Sequence, residues 1–240
     1  MGNASNILFK DSGFNGVIIS LKGLNKVKIK KNLVYAYAGA LLPNVLNIVK
    51  NKGLSGLEWS VGIPASVGGA VALNAGAYNG DINQILKYVY ALDVKTNKVI
   101  KFTNLEYLGK YHQSVFTKNY KYVILYAVFN LTKCDVKLIQ QKITQVLSMR
   151  MQNQKVGYPS LGCVFSRLNS GQSPAYLIEK SGLKGKECGG AQVSLVHSGY
   201  IVNKNNATSL DVLNLIDIIK QKIKKDWHVL LTTEIIVIGD

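Results

Sequence analysis

The sequence predicts an α+β protein with two domains. Hydrophobic residues make up 48% of the 240 residues and aromatic residues 9%, which is typical of a folded globular protein. Strand-like segments separated by turns dominate the chain up to the stretch 131–135, and helices mixed with strands follow it. We therefore predict a first domain over residues 1–132 and a second over residues 133–240.

In the first domain, a helix is predicted after Leu41 because apolar residues recur there at helical spacing. Pro43 lies near its first turn and Gly53 ends it. Residues 85–102 predict a hairpin with its turn at Thr96–Asn97. Three further apolar or alternating segments predict strands: residues 16–20, 32–39 and 120–131.

In the second domain, helical and strand patterns follow one another. The first helix opens on Asp135, a residue type that caps helix N-termini, and Gly182 closes the next one. Thr208 followed by Asp211 has the spacing of a capping box. The predicted helices cover residues 135–154, 173–182 and 208–227, and the predicted strands cover 162–167, 198–203 and 233–239.

The net charge of +16 raises the question of an anionic partner. All of the 29 basic residues except Arg150 and Arg167 are lysines, and they are scattered along the chain. Lys, Asn, Ile and Tyr, which have AT-rich codons, are all abundant. We attribute the charge to composition bias, expect no nucleic-acid partner, and rank nucleic-acid binding last among the functions considered.

Other classes are excluded by patterns that the chain lacks. No apolar run approaches the roughly 18–20 residues that span a bilayer, and the N-terminus lacks the pattern of a signal peptide. We therefore expect a cytoplasmic protein without membrane insertion. The cysteines, Cys134, Cys163 and Cys188, have no metal-ligand spacing, which predicts reduced thiols and no metal.

An uncharged stretch rich in Gly and Ala runs from Gly62 to Gly80. Such residues let backbone amides approach a phosphate closely, and Ser66 begins a short predicted helix whose N-terminus favours an anion. The spacing matches neither common nucleotide fingerprint. Taken alone, the stretch is equally compatible with phosphate binding and with tight packing of a helix on a sheet.

Five blocks, in order from Gly2 to Gly239, decide between these interpretations. They read "GNASNILFKDSGFNGVII", "GLEWSVGIPASVGGAVALNAGAYNGDI", "YPSLGCVF", "GGAQVSLVHSGYIVNKNNAT" and "TEIIVIG". Together they resemble the UDP-N-acetylenolpyruvoylglucosamine reductases of the shorter subtype. That family forms UDP-N-acetylmuramate with FAD and NADPH in peptidoglycan synthesis, which implies roles in cell-wall biogenesis, cell shape and cell division.

The resemblance also implies the architecture. The family combines an FAD-binding domain of the p-cresol methylhydroxylase type with a smaller α+β substrate-binding domain. Its members carry a βαβ-like segment before the first block, so we expect an N-terminally truncated FAD domain, with weaker flavin affinity and lower solubility. We also expect a monomer that binds a small-molecule substrate, UDP-N-acetylglucosamine enolpyruvate.

The family's cofactor loops map onto two pyrophosphate loops and a segment along the flavin. Ala4 stands where the family usually has Gly, and Ser66 stands for a usual Thr and keeps the hydroxyl. The implied cofactor-binding residues are Gly2, Asn3, Ala4, Ser5, Asn6, Gly62, Ile63, Pro64, Ala65, Ser66, Gly68, Gly69, Asn74, Ala75, Gly76 and Ala77.

Three residues match the family's catalytic positions. Cys163 stands at the proton donor, usually Ser, and a thiol is the stronger acid, with a pKa near ~8.5. Glu234 matches the catalytic Glu, and its apolar neighbours predict burial and a raised pKa. His112 replaces the Arg that holds the substrate carboxylate, and imidazole lacks the guanidinium fork. Without the resemblance, the alternatives are a small apolar Cys, a solvated Glu and a surface His.

The resemblance further assigns substrate-binding roles to Tyr111, Arg167, Gln192 and Asn203. Arg167 is expected to reach the diphosphate of the sugar nucleotide. The main hypothesis is an active reductase. The alternative is a truncated or degenerate homologue that binds flavin or nucleotide without turnover, which His112 favours and which Glu234 and Cys163 oppose.

Overall fold

The computed structural model describes two compact units. The first consists of Met1–Ala4 and Ile18–Arg150, and the second of Ser5–Val17 and Met151–Asp240. Each contains helices and sheets, so the predicted α+β class is confirmed. The domain boundary between residues 132 and 133 stays a prediction. The described residues are 1–103, 114–118, 121–154, 157–168 and 171–240.

Within the described residues, regular elements follow the chain in this order. The strands are β1 (Ile7–Phe9), β2 (Val27–Lys30), β3 (Leu33–Tyr37), β4 (Leu54–Ser55), β5 (Gly76–Ala77), β6 (Gly80–Asp81), β7 (Leu86–Asp93), β8 (Lys98–Thr103), β9 (Tyr122–Asn130), β10 (Thr132–Lys133), β11 (Ser160–Cys163), β12 (Glu187–Cys188), β13 (Ala191–Val193), β14 (Tyr200–Asn203) and β15 (Ile236–Ile238). The helices are α1 (Leu42–Asn51), α2 (Val67–Ala72), α3 (Ile82–Ile85), α4 (Val115–Lys118), α5 (Val136–Gln154), α6 (Pro174–Lys180) and α7 (Ser209–Trp227), with a 3₁₀ helix at Glu58–Ser60.

The first unit is built on an antiparallel five-stranded sheet in the order β2-β3-β9-β7-β8. Alternation in β3 buries Val34 and Ala36 on one face, against the apolar sides of α1 and α2. On the other face, Tyr126 stacks between Tyr37 and Tyr90, with ring centroids 5.4 and 4.6 Å apart. The sheet and the two helices thereby position the glycine-rich loops that lead into and out of α2.

The second unit combines an antiparallel sheet, β11-β14-β13-β12, with the parallel pair β1-β15. Its core is formed by apolar residues of α6, α7 and the sheet. The capping box predicted at the start of α7 is present, with Asp211 N–H donating to Thr208 Oγ1 at 3.1 Å. The first turn of α7 also binds the segment that follows β1, because Ser209 N–H and Oγ–H both donate to Asp11 Oδ2.

One predicted strand is wrong. Residues 16–20 form no strand, and Val17 and Ile19 are 88% and 72% exposed. A strand needs a partner strand for its backbone, and here Met1 alone bonds to this stretch, with its N-terminal amine donating to the Ile19 carbonyl and its carbonyl accepting from Leu21 N–H among the described residues. The pattern was that of a strand, but among the described residues no neighbouring strand pairs with it.

Candidate functional site

The two predicted pyrophosphate loops meet in the first unit. Asn3 Nδ2 donates to the Pro64 carbonyl at 2.7 Å, and a Cβ placed on Gly2 would overlap Ser66 Oγ. A cavity of about 250 Å³ opens between these loops. It is lined by Met1, Gly2, Leu21, Ala38, Ser66, Gly68, Gly69, Ala72, Phe116, Tyr122, Val123 and Ile124.

The first loop offers backbone donors. The N–H groups of Gly2, Asn3 and Ala4 make no hydrogen bond with any described residue. Ala4 has φ +57°, a left-handed conformation that non-glycine residues adopt at a cost. Successive N–H groups around a left-handed residue form a concave anion site, so this loop has the properties of a phosphate cradle.

The second loop differs from the expectation that α2 would offer amides to an anion. Val67 N–H donates to the Ala40 carbonyl at 2.7 Å, and Gly68 N–H donates to the Ala38 carbonyl at 2.8 Å. Ser66, the N-cap of α2, accepts the third amide, from Gly69, at 3.3 Å. These donors are therefore used within the chain, and the second loop contributes space rather than hydrogen bonds.

Close packing explains the glycine at position 68. A Cβ there would lie 3.0 Å from Ala38 Cβ and 3.1 Å from the Ala38 carbonyl oxygen. The predicted flavin segment is equally tight, since a Cβ on Gly76 would lie 2.7 Å from Asp81 Cβ. Asn74 is buried, and its Oδ1 accepts from Asn83 N–H at 3.1 Å. The Asn74 side chain thus fixes the segment's own turn.

In the second unit, the segment that holds Glu234 pairs with the residues just after Cys163, through an isolated bridge between Phe165 and Thr233. Glu234 N–H donates to the Val164 carbonyl at 2.8 Å, directly beside Cys163 at the end of β11. Asn6 Nδ2 in turn donates to the Glu234 carbonyl at 3.0 Å. Cys163 is exposed, and Glu234 is half-buried rather than buried as its apolar neighbours predicted.

Comparison with known proteins assigns both parts of the chain. Residues 1–103 match the family model of the FAD binding domain. Residues 154–238 match that of the UDP-N-acetylenolpyruvoylglucosamine reductase C-terminal domain. The reductases of Clostridium novyi and Clostridium tetani are 42% and 41% identical to this chain over all 240 residues, which cover 77% of each.

The chain belongs to the UDP-N-acetylenolpyruvoylglucosamine reductase family. The solved reductase of Thermus caldophilus agrees, with a TM-score of 0.86 and 30% identity over 100% of this chain and 84% of that one. The resemblance, the fold class and FAD as the family's cofactor are thereby confirmed. The roles of individual residues are not tested by these matches.

The remaining residues that the reductase family implies lie in different surroundings. Gln192 is buried, and its Nε2 donates to Glu187 Oε1 at 2.6 Å. Asn203 Oδ1 accepts from Ala207 N–H at 2.8 Å, while Arg167 is exposed. Two predicted residues, Tyr111 and His112, lie outside the described residues.

His197 fixes the turn between β13 and β14. Its Nδ1 accepts from Gly199 N–H at 3.2 Å, and its ring lies 4.6 Å from that of Tyr200. Burial lowers the pKa of His197, which keeps the imidazole neutral at physiological pH. A neutral Nδ1 is what the hydrogen bond from Gly199 requires.

The sequence analysis did not identify the residues that stabilise the segment just before the second loop. Glu58 is buried and accepts from Ser55 Oγ at 2.5 Å and from Gly56 N–H at 2.7 Å. Trp59 Nε1 donates to the Gly56 carbonyl at 3.0 Å. The one available signal was an isolated carboxylate in an apolar run, "GLEWSVG".

Neither a metal-binding cluster nor a membrane-spanning helix is present in the part of the chain that the structure describes. There, no group of three or more His, Cys, Asp or Glu side chains is arranged to hold a metal ion. Likewise, none of the described helices combines the length and the apolar character that crossing a membrane requires.

Proposed function

We propose that this chain reduces UDP-N-acetylglucosamine enolpyruvate to UDP-N-acetylmuramate, using FAD and NADPH, in peptidoglycan synthesis. The observation that carries the proposal is the backbone hydrogen bond from Glu234 N–H to the Val164 carbonyl, which brings the segment that holds Glu234 next to the end of the strand that holds Cys163. It is supported by 42% identity to a reductase of that name over the whole chain.

The residues present fit FAD. Gly2, Asn3 and Ala4 supply N–H donors that no described residue uses, and Gly68 and Gly69 keep the neighbouring cavity open. The pyrophosphate would be held mainly by the first loop, since the first amides of α2 already bind carbonyls. When bound, FAD supplies the transfer of hydride from NADPH to the substrate double bond.

Cys163 is proposed to donate the proton that completes the reduction. A general acid must reach the carbon that it protonates, and Cys163 is exposed at a strand end, where a substrate can approach it. A cysteine thiol is a weak acid, with an ordinary pKa of about 8.5. It is nevertheless a much stronger acid than the serine hydroxyl usual in the family.

Glu234 is proposed to hold the substrate's enol-like intermediate. Its backbone is fixed on both sides, by Val164 through its N–H and by Asn6 through its carbonyl. A side chain on so constrained a backbone is pre-organised, which is how polar groups stabilise charge that develops during a reaction. Glu234 would hydrogen-bond that charge rather than react with it.

The substrate carboxylate and diphosphate require cations. We propose that His112 takes the carboxylate and that Arg167, which is exposed, takes the diphosphate. Tyr111, Gln192 and Asn203 are proposed as further substrate-binding residues. An imidazolium makes a weaker, non-bidentate pair than a guanidinium. The enzyme would therefore bind the carboxylate less tightly than a member of the family that has arginine at this position.

Several coarser features belong to the same proposal. We propose that the enzyme is a cytoplasmic monomer, that NADPH is its reductant, and that its product feeds cell-wall growth and hence cell shape and division. No nucleic-acid partner is required by this chemistry.

An absorption spectrum tests the proposal directly. The purified chain is mixed with FAD, desalted, treated with NADPH without oxygen, and then given the enolpyruvyl sugar nucleotide. A retained flavin band that bleaches with NADPH and returns with substrate is expected. A band that bleaches but does not return would instead support the homologue without turnover, and a colourless protein would contradict FAD binding.

The variant His112→Arg separates a weakened enzyme from an inactive one. Restoring the guanidinium fork is expected to lower KM for the sugar nucleotide by about tenfold, the gain of a charge-assisted bidentate pair. No change in KM would mean that His112 does not contact the carboxylate.

A further inference from the structure

Arg150 connects two segments of the first unit that are far apart in sequence. It lies in α5, and a Cβ placed on Gly62 would come within 2.7 Å of Arg150 Cδ. The Arg150 guanidinium carbon lies 5.4 Å from the centre of the Tyr78 ring. One side chain therefore touches both the second pyrophosphate loop and the turn that follows the flavin segment.

The Tyr78 turn is locally unfavourable. Tyr78 and Asn79 join β5 to β6 with φ of +48° and +64°. Two-residue hairpin turns with both residues left-handed favour Asn, Asp and Gly, and a bulky aromatic residue at the first position is an outlier. The Tyr78 hydroxyl is also buried, with no hydrogen-bond partner among the described residues.

These two penalties indicate what the position requires. A buried hydroxyl without a partner destabilises the fold, so the hydroxyl is not the reason for a tyrosine here. The aromatic ring is the part of Tyr78 with an evident contact, and that contact is a cation. Strain concentrated at one residue is commonly offset by the surrounding structure at functional sites.

The choice of arginine agrees with this interpretation. Only Arg150 and Arg167 are arginines among 29 basic residues. A planar guanidinium stacks on an aromatic face while its methylene stem packs against apolar surface, whereas lysine carries a compact, strongly hydrated charge. Arg150 does both, with its stem against Gly62 and its guanidinium over Tyr78.

The same two segments also touch behind the Arg150 contact. A Cβ on Gly80, at the start of β6, would overlap the Trp59 ring. Trp59 belongs to the 3₁₀ helix that leads into Gly62. The hairpin β5-β6 is thus packed against the 3₁₀ helix that leads to the loop, and Arg150 adds a second contact between the same two segments.

We propose that Arg150 and Tyr78 form a clamp that fixes the Gly62 loop against the flavin segment and so positions FAD. The inference rests on the proposed function. Both are positioning residues, since they act through the backbone of residues 62–69 and 74–77. The cation and the ring are required, and the hydroxyl is not.

Four variants test the clamp: Arg150→Met, Arg150→Lys, Tyr78→Leu and Tyr78→Phe. Arg150→Met and Tyr78→Leu are expected to raise the FAD Kd about tenfold, because each removes a largely desolvated cation–π contact. Tyr78→Phe keeps the ring and is expected to keep the Kd, with equal or greater stability. Lys142→Met, an exposed lysine of the same helix, is the matched control for loss of charge.

Two readouts distinguish positioning from general stabilisation. In the protein without FAD, amide hydrogen exchange at residues 62–69 and 74–80 is expected to rise about tenfold in Arg150→Met, without change in β3 and β9. With FAD, the bound-flavin absorption maximum is expected to shift in Arg150→Met and Tyr78→Leu alone, with an intermediate shift in Arg150→Lys.

Several results would overturn the clamp. Unchanged exchange and unchanged flavin affinity in Arg150→Met would do so, and so would an equal loss of affinity in Tyr78→Phe and Tyr78→Leu. A wild-type protein that binds no FAD would overturn the proposed function instead, and the exchange measurement would still decide whether Arg150 orders the two segments.

Discussion

The first unit offers backbone where the second offers side chains. At Gly2–Ala4 and Gly68, the candidate cofactor groups are N–H donors and the space left by missing Cβ atoms. At Cys163 and Glu234, they are a thiol and a carboxyl group on two segments joined by backbone hydrogen bonds. The first arrangement should therefore be sensitive to added volume and the second to altered chemistry.

The largest effect is expected from Glu234→Gln. The amide keeps the shape but replaces the carboxyl O–H that would hydrogen-bond the enol-like intermediate, so we expect turnover to fall about 10³-fold, the scale of losing one pre-organised electrostatic group. FAD affinity should stay unchanged, because the change is chemical and not steric. Steady-state kinetics and flavin titration measure the two quantities.

Glu179→Gln is the control for removing a carboxylate from the second unit. Glu179 pairs with Lys184 at 2.9 Å on the surface, and turnover should be unaffected by its loss. If Glu234→Gln retained normal turnover, the proposal that Glu234 stabilises the enol-like intermediate would be wrong.

Gly68→Val should show the opposite pattern. The new Cβ would meet Ala38 at 3.0 Å, and the branched methyls add further overlap in a loop held by backbone hydrogen bonds. Overpacking of this kind costs about 1–3 kcal/mol, so we expect FAD affinity to fall by about 10- to 100-fold. Flavin titration measures the affinity, and urea unfolding measures the stability.

Gly23→Val is the matched control in the same unit, because a Cβ at Gly23 meets nothing within 4 Å. Equal losses in both variants would mean that valine harms the unit generally. Equal affinity in Gly68→Val and the wild type would mean that FAD does not use this loop.

The second unit also holds its N-terminal segment by side-chain chemistry, which makes that contact sensitive to pH. The Ser209 hydroxyl donates to Asp11 Oδ2 at 2.7 Å, and this bond lowers the pKa of the Asp11 carboxyl. A depressed pKa stabilises the fold above the unfolded value, about 4, and that stability is lost as pH falls through the folded value.

Ser209→Ala should therefore lower the urea midpoint at pH 7, and the deficit should shrink below about pH 4. Ser198→Ala is the control, because Ser198 Oγ donates to the Ala175 carbonyl, which does not titrate. A deficit in Ser209→Ala that is the same at pH 7 and in acid would contradict the link to Asp11.

Local rules in the sequence predicted more of the fold than of the site. The capping box at Thr208 and Asp211 and the Thr96–Asn97 turn depend on neighbouring residues, and both are present. The strand over 16–20 failed because pairing depends on a distant partner. The helix predicted to begin near Ser66 is present, but the use of its first amides by the Ala38 and Ala40 carbonyls is a tertiary contact that no local pattern contains.

The site shows the same division. The family blocks pointed to Cys163 and Glu234, and the structure joins their segments by the hydrogen bond from Glu234 N–H to the Val164 carbonyl. The contact between Arg150 and Tyr78 joins α5 to the β5-β6 hairpin. The sequence pattern of neither segment predicts this contact. Blocks in a sequence therefore identify reacting groups more readily than the residues that hold those groups in place.

The smallest expected effect is also the sharpest test of a backbone site. Ala4 has φ +57°, a conformation that glycine adopts with less steric strain than alanine. Ala4→Gly should therefore raise the free energy of unfolding by about 0.5–1 kcal/mol. Lys31 has the same φ of +57° in the turn between β2 and β3, outside the candidate cofactor loops, and Lys31→Gly should stabilise similarly.

The two variants should separate only when FAD is added. Ala4→Gly should lower the FAD Kd about twofold to threefold, because losing the methyl group gives an anion closer access to the N–H groups of residues 2–4. Lys31→Gly should leave the Kd unchanged, because its turn touches no candidate loop. If both variants stabilise the protein and neither changes the Kd, the strain at Ala4 is unrelated to the cofactor, and the first loop is not the phosphate cradle.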